Sequence, residues 1–374
     1  MHQRWPLPYV KRAIIRAFQG SVLTLKKGDM LFMGEKMRAA VFEGEGVLNI
    51  KEVDVPKIEK PDDVIVKVEM CSICGTDVHI MSVPPGYAAK PGTILGHELC
   101  GEVVKVGLGV TSLKVGDRVV TNPNDFCGVC TFCKKNLPNF CENIIPMGIE
   151  ADGGFAEYVK ISERVAFKIS KDLPAKIAAF AEPLACLLNG KNKLPISPGD
   201  SVLVCGAGAI GLLFVQIVKA AGAFPVILSE PVKSRRDVAL KCGADIVVDP
   251  LNEDLSKVVL EATGIGVDYA IDVVGNQLNT CASNTRKGGT ALLFGLNSNA
   301  EEVVKPFDLT TRETTVIGTW LANASFPAAV KLLESGKLDL EPLITHTLPL
   351  DDVGKGIEIL RKGEGIEILV DLRL

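Results

Sequence analysis

The chain has 374 residues, 47% of them hydrophobic and 23% charged, which is the composition of a globular protein with room for two domains. A formal net charge of −4 gives no reason to expect a nucleic-acid partner. The most apolar run, residues 202–218, contains three glycines and Gln216, so we interpret it as a buried strand and a helix, not as a membrane span.

Eleven cysteines occur in the chain, four of them between residues 127 and 141. Several of the others stand in apolar runs, as buried free thiols do. A chain of this length, with no secretory h-region ahead of its cysteines, is unlike a disulfide-stabilised secreted domain. The pattern predicts free thiols and a reducing, cytoplasmic compartment.

The first 36 residues carry seven basic and two acidic side chains. A cationic, partly apolar segment of this kind is typical of a mitochondrial transit peptide, and a disordered arm is a second interpretation. We favour a third interpretation, a stretch translated from a mis-assigned start upstream of Met37. Residues 34–36 can be encoded by a purine-rich sequence like a bacterial ribosome-binding site. Residues 1–36 are therefore predicted to be an N-terminal extension.

From Met37 the sequence is rich in strand patterns. Residues 38–43 and 63–70 show near alternation of apolar and polar side chains, and Gly and Pro punctuate the chain to about residue 125. This pattern of short strands and frequent turns predicts an irregular β domain whose functional residues lie on loops.

After Pro198, short apolar strands alternate with helical segments over about 120 residues. The first strand, residues 201–206, is followed by a helix to about Ala221. Further strands are predicted at residues 225–230, 245–250, 269–275 and 290–296. This alternation predicts an α/β fold with a parallel doubly wound sheet. From about residue 325, a helix and a final strand end the sequence.

A glycine-rich turn follows the first of these strands. Gly206, Gly208 and Gly211 form the pattern G-x-G-x-x-G, with Ile210 before the third glycine. In a dinucleotide site the first glycine permits a tight turn, the second admits the pyrophosphate, and the third allows helix and strand to pack closely. The pattern alone is weak, but here it lies between a strand and a helix, as the mechanism requires.

Glu230 stands nineteen residues after Gly211, at the end of the next predicted strand. A carboxylate there accepts hydrogen bonds from the ribose diol and repels a 2′-phosphate, which favours NAD over NADP. Arg235 and Arg236 leave the alternative open, because a nearby guanidinium can hold that phosphate.

The four clustered cysteines have the spacing C-x2-C-x2-C-x7-C: Cys127, Cys130, Cys133 and Cys141. Four thiolates can enclose Zn²⁺ tetrahedrally and leave no open position, which is typical of a structural site. Bacterial iron–sulfur runs have a different spacing, and a redox C-x-x-C pair needs no third or fourth thiol. We therefore predict structural zinc.

A second set of metal-ligand types is spread more widely. Cys74 and His79 lie in one glycine-flanked loop, His97 and Glu98 in another, and Glu182 precedes the α/β region. Cysteine, histidine and carboxylate are the ligands of catalytic zinc, where three protein groups leave one position open. Each residue alone is ordinary, but two of only four histidines fall in these loops.

The stretch GHELCGEVVKVGLGV, residues 96–110, matches the signature of zinc alcohol dehydrogenases. The four-cysteine segment, GDRV at 116–119, GGFAEY at 153–158 and the glycine motif follow in that family's order. Over residues 37–374 the chain resembles the zinc-dependent medium-chain dehydrogenases/reductases. The resemblance implies a GroES-like irregular β catalytic domain (residues 37–187 and 325–374), a Rossmann domain (188–324) that binds NAD, and a dimer or tetramer.

The resemblance also implies roles for the second set. Cys74, His97 and Glu98 would bind catalytic zinc, so that each chain carries two zinc ions. Glu182, followed by Pro183 and Leu184, resembles the sorbitol and butanediol dehydrogenases and would touch the zinc directly or through water. Whether Glu98 or Glu182 is the direct ligand stays open.

The chemistry implied is oxidation of an alcohol to a ketone. Zinc lowers the pKa of the bound hydroxyl. Thr76 would then take the proton and His79 pass it to solvent. Hydride would transfer to a nicotinamide held near Gly295 and Leu296.

One departure concerns the substrate. Sorbitol dehydrogenases have Arg-Tyr after the glycine that corresponds to Gly318, where this chain has Thr319 and Trp320. The missing guanidinium fits a smaller or less polar alcohol. We therefore predict an NAD-dependent secondary alcohol or polyol dehydrogenase. An L-threonine 3-dehydrogenase-like activity and a non-catalytic zinc and NAD-binding protein are the alternatives.

Overall fold

The computed structural model describes residues 35–374. The predicted extension, residues 1–36, therefore lies outside the described residues except for its last two positions. The first strand already begins at Lys36, and the carbonyl of Glu35 accepts a hydrogen bond from the N–H of Val55 at 3.2 Å. The ordered β structure thus starts one residue before the predicted boundary.

The part of the chain before the glycine motif is mostly β. Its strands are β1 (Lys36–Gly44), β2 (Val47–Asp54), β3 (Asp63–Ser72), β4 (Glu98–Val106), β5 (Arg118–Thr121), β6 (Asn124–Asp125), β7 (Ile145–Pro146), β8 (Tyr158–Ser162) and β9 (Ala166–Ile169). Its helices are α1 (Gly75–Ile80), α2 (Thr131–Lys134), α3 (Ala175–Ala178) and α4 (Ala181–Lys191).

The following part alternates strands and helices, as predicted. Its strands are β10 (Val202–Cys205), β11 (Val226–Ser229), β12 (Ile246–Val248), β13 (Val267–Asp272), β14 (Thr285–Leu293) and β15 (Thr315–Gly318). Its helices are α5 (Ala209–Ala220), α6 (Lys233–Lys241), α7 (Leu255–Thr263), α8 (Leu278–Asn284) and α9 (Pro306–Arg312). The chain then continues through α10 (Phe326–Glu334), β16 (Ile344–Pro349), α11 (Val353–Arg361) and β17 (Glu367–Asp371).

Six strands form a parallel sheet in the order β12-β11-β10-β13-β14-β15. The chain reverses its direction of progress between β10 and β13, which makes the carboxyl ends of these two strands a topological switch point. The glycine motif follows β10 directly. The predicted α/β fold is confirmed, and the sheet has the strand order of a Rossmann fold.

The second large sheet has the order β16-β17-β3-β4-β5-β9, and β8 pairs with β3. The final strand β17 returns to lie beside β3, which joins the end of the chain to the first β region. Although the sequence of β3 nearly alternates, most of this strand is buried, because it is central in the sheet.

Helix α4 links the two sheets. It packs against α5 and α10 and also contacts β4 and β5. The predicted domain boundary at residue 187 falls inside this helix, which continues unbroken to Lys191. The domain bounds stay predictions, but a division within α4 would cut a shared structural element.

Among residues 35–374, no helix is both long and apolar enough to span a bilayer. All eleven cysteines lie in this range, and none forms a disulfide.

Candidate active site

A cavity of about 1410 Å³ lies between the two sheets. The loops after β3 and β10, the start of α4 and the carboxyl ends of the parallel strands all contribute to its wall. Predicted site residues that line it are Cys74, Thr76, His79, His97, Glu98, Glu182, Gly206, Gly208, Ile210, Gly211, Glu230, Arg235 and Leu296. Two regions far apart in sequence therefore share one cleft.

Cys74 is held at the start of α1. Its N–H donates to Oδ2 of Asp77 at 2.9 Å, so that the Asp77 side chain caps the helix. Asp77 is fully buried, and its Oδ1 lies 3.8 Å from Nδ1 of His97. The carboxylate therefore reaches both the Cys74 loop and the imidazole.

Candidate ligand atoms of Cys74, His97 and Glu98 lie within 4.8 Å of one another. Glu98 is the first residue of β4 and faces Ser72 on β3 across the antiparallel pair. One thiol, one imidazole and one carboxylate at this spacing are suited to Zn²⁺. Asp77 lies on the side of His97 where ligating histidines usually have a carboxylate partner, although at 3.8 Å the two side chains are not hydrogen-bonded.

Burial dominates the electrostatics of this cluster. It raises the pKa of Glu98 to about 7, with a further increase from the charge of Glu182. Burial also raises the pKa of the Cys74 thiol, and the neighbouring carboxylates Glu98 and Asp77 add to this effect. A cation bound among these groups would compensate the unfavourable negative charge, so the residues present fit a metal ion.

The pKa of His97 responds to two opposed influences. Burial lowers this pKa, but the carboxylates of Asp77, Glu98 and Glu182 outweigh burial and raise it above the ordinary value. The imidazole thus lies in a strongly negative environment.

Glu182, in the first turn of α4, lies outside the 4.8 Å set. Its Oε1 accepts a hydrogen bond from the thiol of Cys186 at 3.2 Å. Glu182 nevertheless faces the same cavity, and burial raises its pKa. Glu98 therefore belongs to the metal-ligand set in this arrangement, whereas Glu182 lies beside the set and is hydrogen-bonded to Cys186.

The sequence did not single out Glu367, the first residue of β17. This buried side chain lines the cavity and accepts a hydrogen bond from the hydroxyl of Ser72. Burial raises its pKa well above the ordinary value, and the charge of Glu98 adds to the shift. Only the pairing of β17 with β3 brings this residue to the site, so no local sequence signal could have found it.

The predicted proton-transfer residues both lie on α1. The hydroxyl of Thr76 accepts from the Cys74 thiol at 3.7 Å, and His79 lies in the last turn of the helix. Both residues line the cavity. The structure therefore places a hydroxyl and an imidazole on the same short helix as Cys74.

The glycine motif has a backbone that other residues would not permit. Gly206 has a φ of 110°. A Cβ on Gly211 would lie 2.0 Å from the carbonyl oxygen of Gly206, whereas a Cβ on Gly208 would meet nothing within 4 Å. The turn is thus tight at its first and third glycines and open at its second.

Gly275 and Gly295 bring the ends of β13 and β14 close together. A Cβ on Gly295 would lie 2.3 Å from the backbone nitrogen of Gly275. A side chain on Gly295 would therefore not fit between the two strand ends. Leu296 follows and lines the cavity.

The predicted ribose-binding residue, Glu230, is buried against the glycine loop. Its carboxylate accepts hydrogen bonds from the N–H groups of Ala207 and Val232 at 2.8 and 2.9 Å. Of the two arginines, Arg236 pairs with Asp249 at 2.9 Å. Arg235 donates to the carbonyl of Gly365 at 2.6 Å. Both guanidinium groups make contacts within the chain, but Nε of Arg235 is buried and has no hydrogen-bond partner among the described residues.

We call residues 127–141 the four-cysteine lobe. The ligand atoms of its four cysteines lie within 4.8 Å of one another. The N–H of Cys127 donates to the sulfur of Cys141, and the N–H of Cys130 to the sulfur of Cys127, both at 3.3 Å. Hydrogen bonds from Val129 and Cys130 lower the pKa of Cys127 to about 6. Sulfurs that accept backbone N–H groups suit a thiolate cage.

Comparison with known protein families agrees with this arrangement. Residues 60–171 match the model of the alcohol dehydrogenase GroES-like domain, and residues 209–335 match that of the zinc-binding dehydrogenases.

Individual relatives extend over nearly the whole chain. An L-threonine 3-dehydrogenase of Thermococcus kodakarensis is 38% identical over 89% of this chain and 97% of its own length. D-arabinitol dehydrogenase 1 of Uromyces fabae is 33% identical over 90% and 97%. A solved zinc-binding dehydrogenase of Sinorhizobium meliloti 1021, bound to NADP, superposes with a TM-score of 0.85 at 35% identity and covers 90% of this chain and 99% of its own. The chain therefore belongs to the zinc-binding alcohol dehydrogenase family, whose members are oxidoreductases.

Proposed function

We propose that this protein is a zinc-dependent, NAD-linked dehydrogenase that oxidises a secondary alcohol or polyol to the ketone. The observation that carries the proposal is the convergence of Cys74, His97 and Glu98 at a cavity also lined by the glycine motif. Metal ligands and a dinucleotide turn on one cleft are what hydride transfer from an alcohol requires.

Cys74, His97 and Glu98 would hold the catalytic zinc, with Glu182 able to replace Glu98. Bound there, zinc supplies a Lewis acid that makes an alcohol hydroxyl more acidic. Thr76 would accept the hydroxyl proton at its Oγ1 and pass its own hydroxyl proton on, and His79 would release a proton to solvent. The buried carboxylate of Asp77 caps the helix that carries Thr76 and would orient His97 when that residue holds zinc.

Cys127, Cys130, Cys133 and Cys141 would hold a second, structural zinc. Four thiolates complete a tetrahedral shell, so no position is left for substrate. The lobe therefore serves stability and positioning, and the chemistry belongs to the Cys74 cluster.

The preference for NAD over NADP rests on Glu230. Its buried carboxylate at the end of β11 would disfavour a 2′-phosphate, and Arg236 is already paired with Asp249. The relative from Sinorhizobium meliloti is bound to NADP, so the ratio of the two cofactors' kcat/KM values is the decisive measurement.

A second candidate is an L-threonine 3-dehydrogenase-like activity. The relative from Thermococcus kodakarensis has this name. Glu182 and Glu367 line the cavity as buried carboxylates, and they suit an ammonium group next to the reacting hydroxyl. The same cavity therefore supports an amino alcohol as well as a neutral diol.

We also propose that the protein is a cytoplasmic homo-oligomer, a dimer or tetramer. Eleven free thiols suit a reducing compartment. Strand β15 forms one edge of the parallel sheet and leaves Val316 exposed, as an edge strand that pairs with a second copy would. Light scattering with the zinc-loaded protein measures the mass.

The test of function is NADH formation from a panel of diols, polyols and threonine, with and without a chelator. We expect turnover of at least one substrate and its loss on metal removal. If the protein with two zinc ions oxidises none of these substrates yet binds NAD, the result favours the non-catalytic alternative.

A further inference from the structure

The four-cysteine lobe contacts a wall of the active-site cavity. Asn139 lies in the short turn before Cys141 and is buried at 6% exposure. Its side-chain amide donates to the carbonyl of Trp320 at 3.0 Å, across 181 positions of sequence. Trp320 lines the cavity together with Cys74, Thr76 and Glu182.

The same carbonyl is held from the other side by helix α4. The amide of Asn189 donates to the carbonyl of Trp320 at 3.1 Å and to that of Leu321 at 2.7 Å. Asn189 is also buried, with 9% exposure. Two buried amides from separate elements thus converge on one peptide group.

The two amides hold residues 319–325, a segment whose backbone conformation is unfavourable without such contacts. We call it the Trp320 loop. Leu321 and Ala324 have φ values of 51° and 53°, in the left-handed region that side chains other than glycine seldom occupy. A conformation of this kind persists only where surrounding contacts impose it. Without the amide contacts the loop would relax, and Trp320 would move with it.

We propose that Asn139 is a positioning residue that fixes Trp320 as a specificity-determining wall of the alcohol site. The four-cysteine lobe then positions a wall of the cavity, and a zinc ion held by its cysteines would also fix Asn139 in place. This inference rests on the proposed function for the structural zinc and for naming the occupant as an alcohol. Trp320 presents an indole to the cavity, and the adjacent Thr319, which also lines it, carries no charge. The wall therefore favours substrates with an apolar flank over fully hydroxylated ones.

The test uses Trp320 as its own reporter. The chain contains two tryptophans, and Trp5 lies outside the described residues, so a Trp5→Phe background leaves Trp320 as the single emitter. In that background we compare Asn139→Asp with Asn139→Ala. Aspartate keeps the size of asparagine but sets an acceptor against the Trp320 carbonyl, whereas alanine only removes the donor.

If the amide acts by hydrogen bonding, Asn139→Asp is the more damaging change. It should shift the emission of Trp320 to longer wavelength and raise KM for the preferred alcohol about threefold to tenfold, with kcat changed less. If Asn139 only fills space, Asn139→Ala is the more damaging of the two, and the proposal is wrong. Unchanged emission in both variants, with zinc content equal to the parent's, also overturns it.

Asn136→Asp is the matched control. Asn136 is an exposed residue of the same lobe, and this change adds the same charge without touching Trp320. It should leave both the emission and KM unchanged. If Asn139→Asp loses the lobe zinc, Asn189→Asp repeats the test from α4 with the lobe intact, and the same emission shift is expected.

Fluorescence requires no turnover. A parent protein that oxidises none of the substrates would refute the proposed function while the emission data still decide whether Asn139 holds Trp320.

Discussion

Nδ1 of His97 lies 3.8 Å from Oδ1 of Asp77, and among the described residues neither atom has a hydrogen-bond partner. Both side chains are buried. If the other ring nitrogen, Nε2, held a metal ion, Nδ1 would carry the proton and could donate it as a hydrogen bond to Asp77 after a small closing movement. Asp77 was not assigned a role from the sequence, although it lies within the Cys74 loop.

The first prediction concerns this pair. Asp77→Asn keeps an acceptor for the N–H of Cys74 but removes the charge beside His97. We expect zinc affinity of the catalytic site to fall about 10–100-fold. Competition with a chelator measures it, and Asp237→Asn, at an exposed position that pairs with Lys233, is the control. Equal affinity in both variants would show that Asp77 serves only as a helix cap.

The second prediction concerns Cys74. Cys74→Ala should abolish alcohol oxidation, reduce the zinc count by one per chain and leave NADH binding intact, because the thiolate would be a ligand of only the open site. Metal analysis and NADH fluorescence titration test this. Cys242→Ala, at a buried cysteine outside the cavity, should retain activity and both zinc ions. Substantial turnover by Cys74→Ala would place the active site elsewhere.

The third prediction concerns the four-cysteine lobe. Cys133→Ser should remove the second zinc and lower the melting temperature by about 5 °C or more, since a structural metal contributes directly to folding. Calorimetry with metal analysis provides the measurement. A melting temperature equal to the parent's, with one zinc lost, would mean that the lobe folds without its metal.

The fourth prediction concerns cofactor choice. Glu230→Gln removes the charge at the end of β11 but keeps an acceptor for the N–H of Ala207. The preference for NAD over NADP, measured as the ratio of kcat/KM values, should fall about tenfold. Glu253→Gln, a cavity-lining change farther along the chain, is the comparison variant. An unchanged ratio would assign the discrimination to other residues.

The fifth prediction concerns pH and stability without metal. The pKa of Glu98 in the folded chain is about 7, above the ordinary 4.5. The folded state therefore holds a proton that the unfolded state has released, so the free energy of unfolding falls as pH rises from about 4.5 through 7. Glu98 accounts for at most about 3 kcal/mol of this loss. Asp77, Glu182 and Glu367 have raised pKa values and act in the same direction.

Urea denaturation of chelator-treated protein at pH 5 and pH 8 measures this difference. Glu98→Gln should reduce it, because glutamine cannot release a proton. A parent protein that is equally stable at both pH values would contradict the prediction.

Local patterns predicted the parts of the fold that depend on neighbouring residues. The glycine motif lies between a strand and a helix as expected, because a strand, a tight turn and an apolar helical segment are all specified within about twenty residues. Glu367 and Asn139 show where such patterns stop. Their roles depend on the pairing of β17 with β3 and on a contact across 181 positions of sequence. Neither contact produces a repeating pattern of apolar and polar residues that could be recognised in the sequence.

Glu182 was found through its resemblance to a known motif, but its partner Cys186 was not. Burial, which determines whether a thiol hydrogen-bonds to a carboxylate, is a property of the folded packing. The relative positions of Glu98 and Glu182 likewise follow from the packing of α4 against β4.

Helix α4 carries Glu182, Cys186 and Asn189 at intervals of four and three residues, so they lie along one face. Glu182, which faces the proposed metal site, and Asn189, which holds the Trp320 loop by hydrogen bonds, therefore belong to the same helix. If the cleft narrows around its ligands, α4 must travel as a unit, and the bending must occur in the chain segments on either side of it. A substitution that tilts this helix would disturb metal binding and substrate selection together, even though it touched neither site.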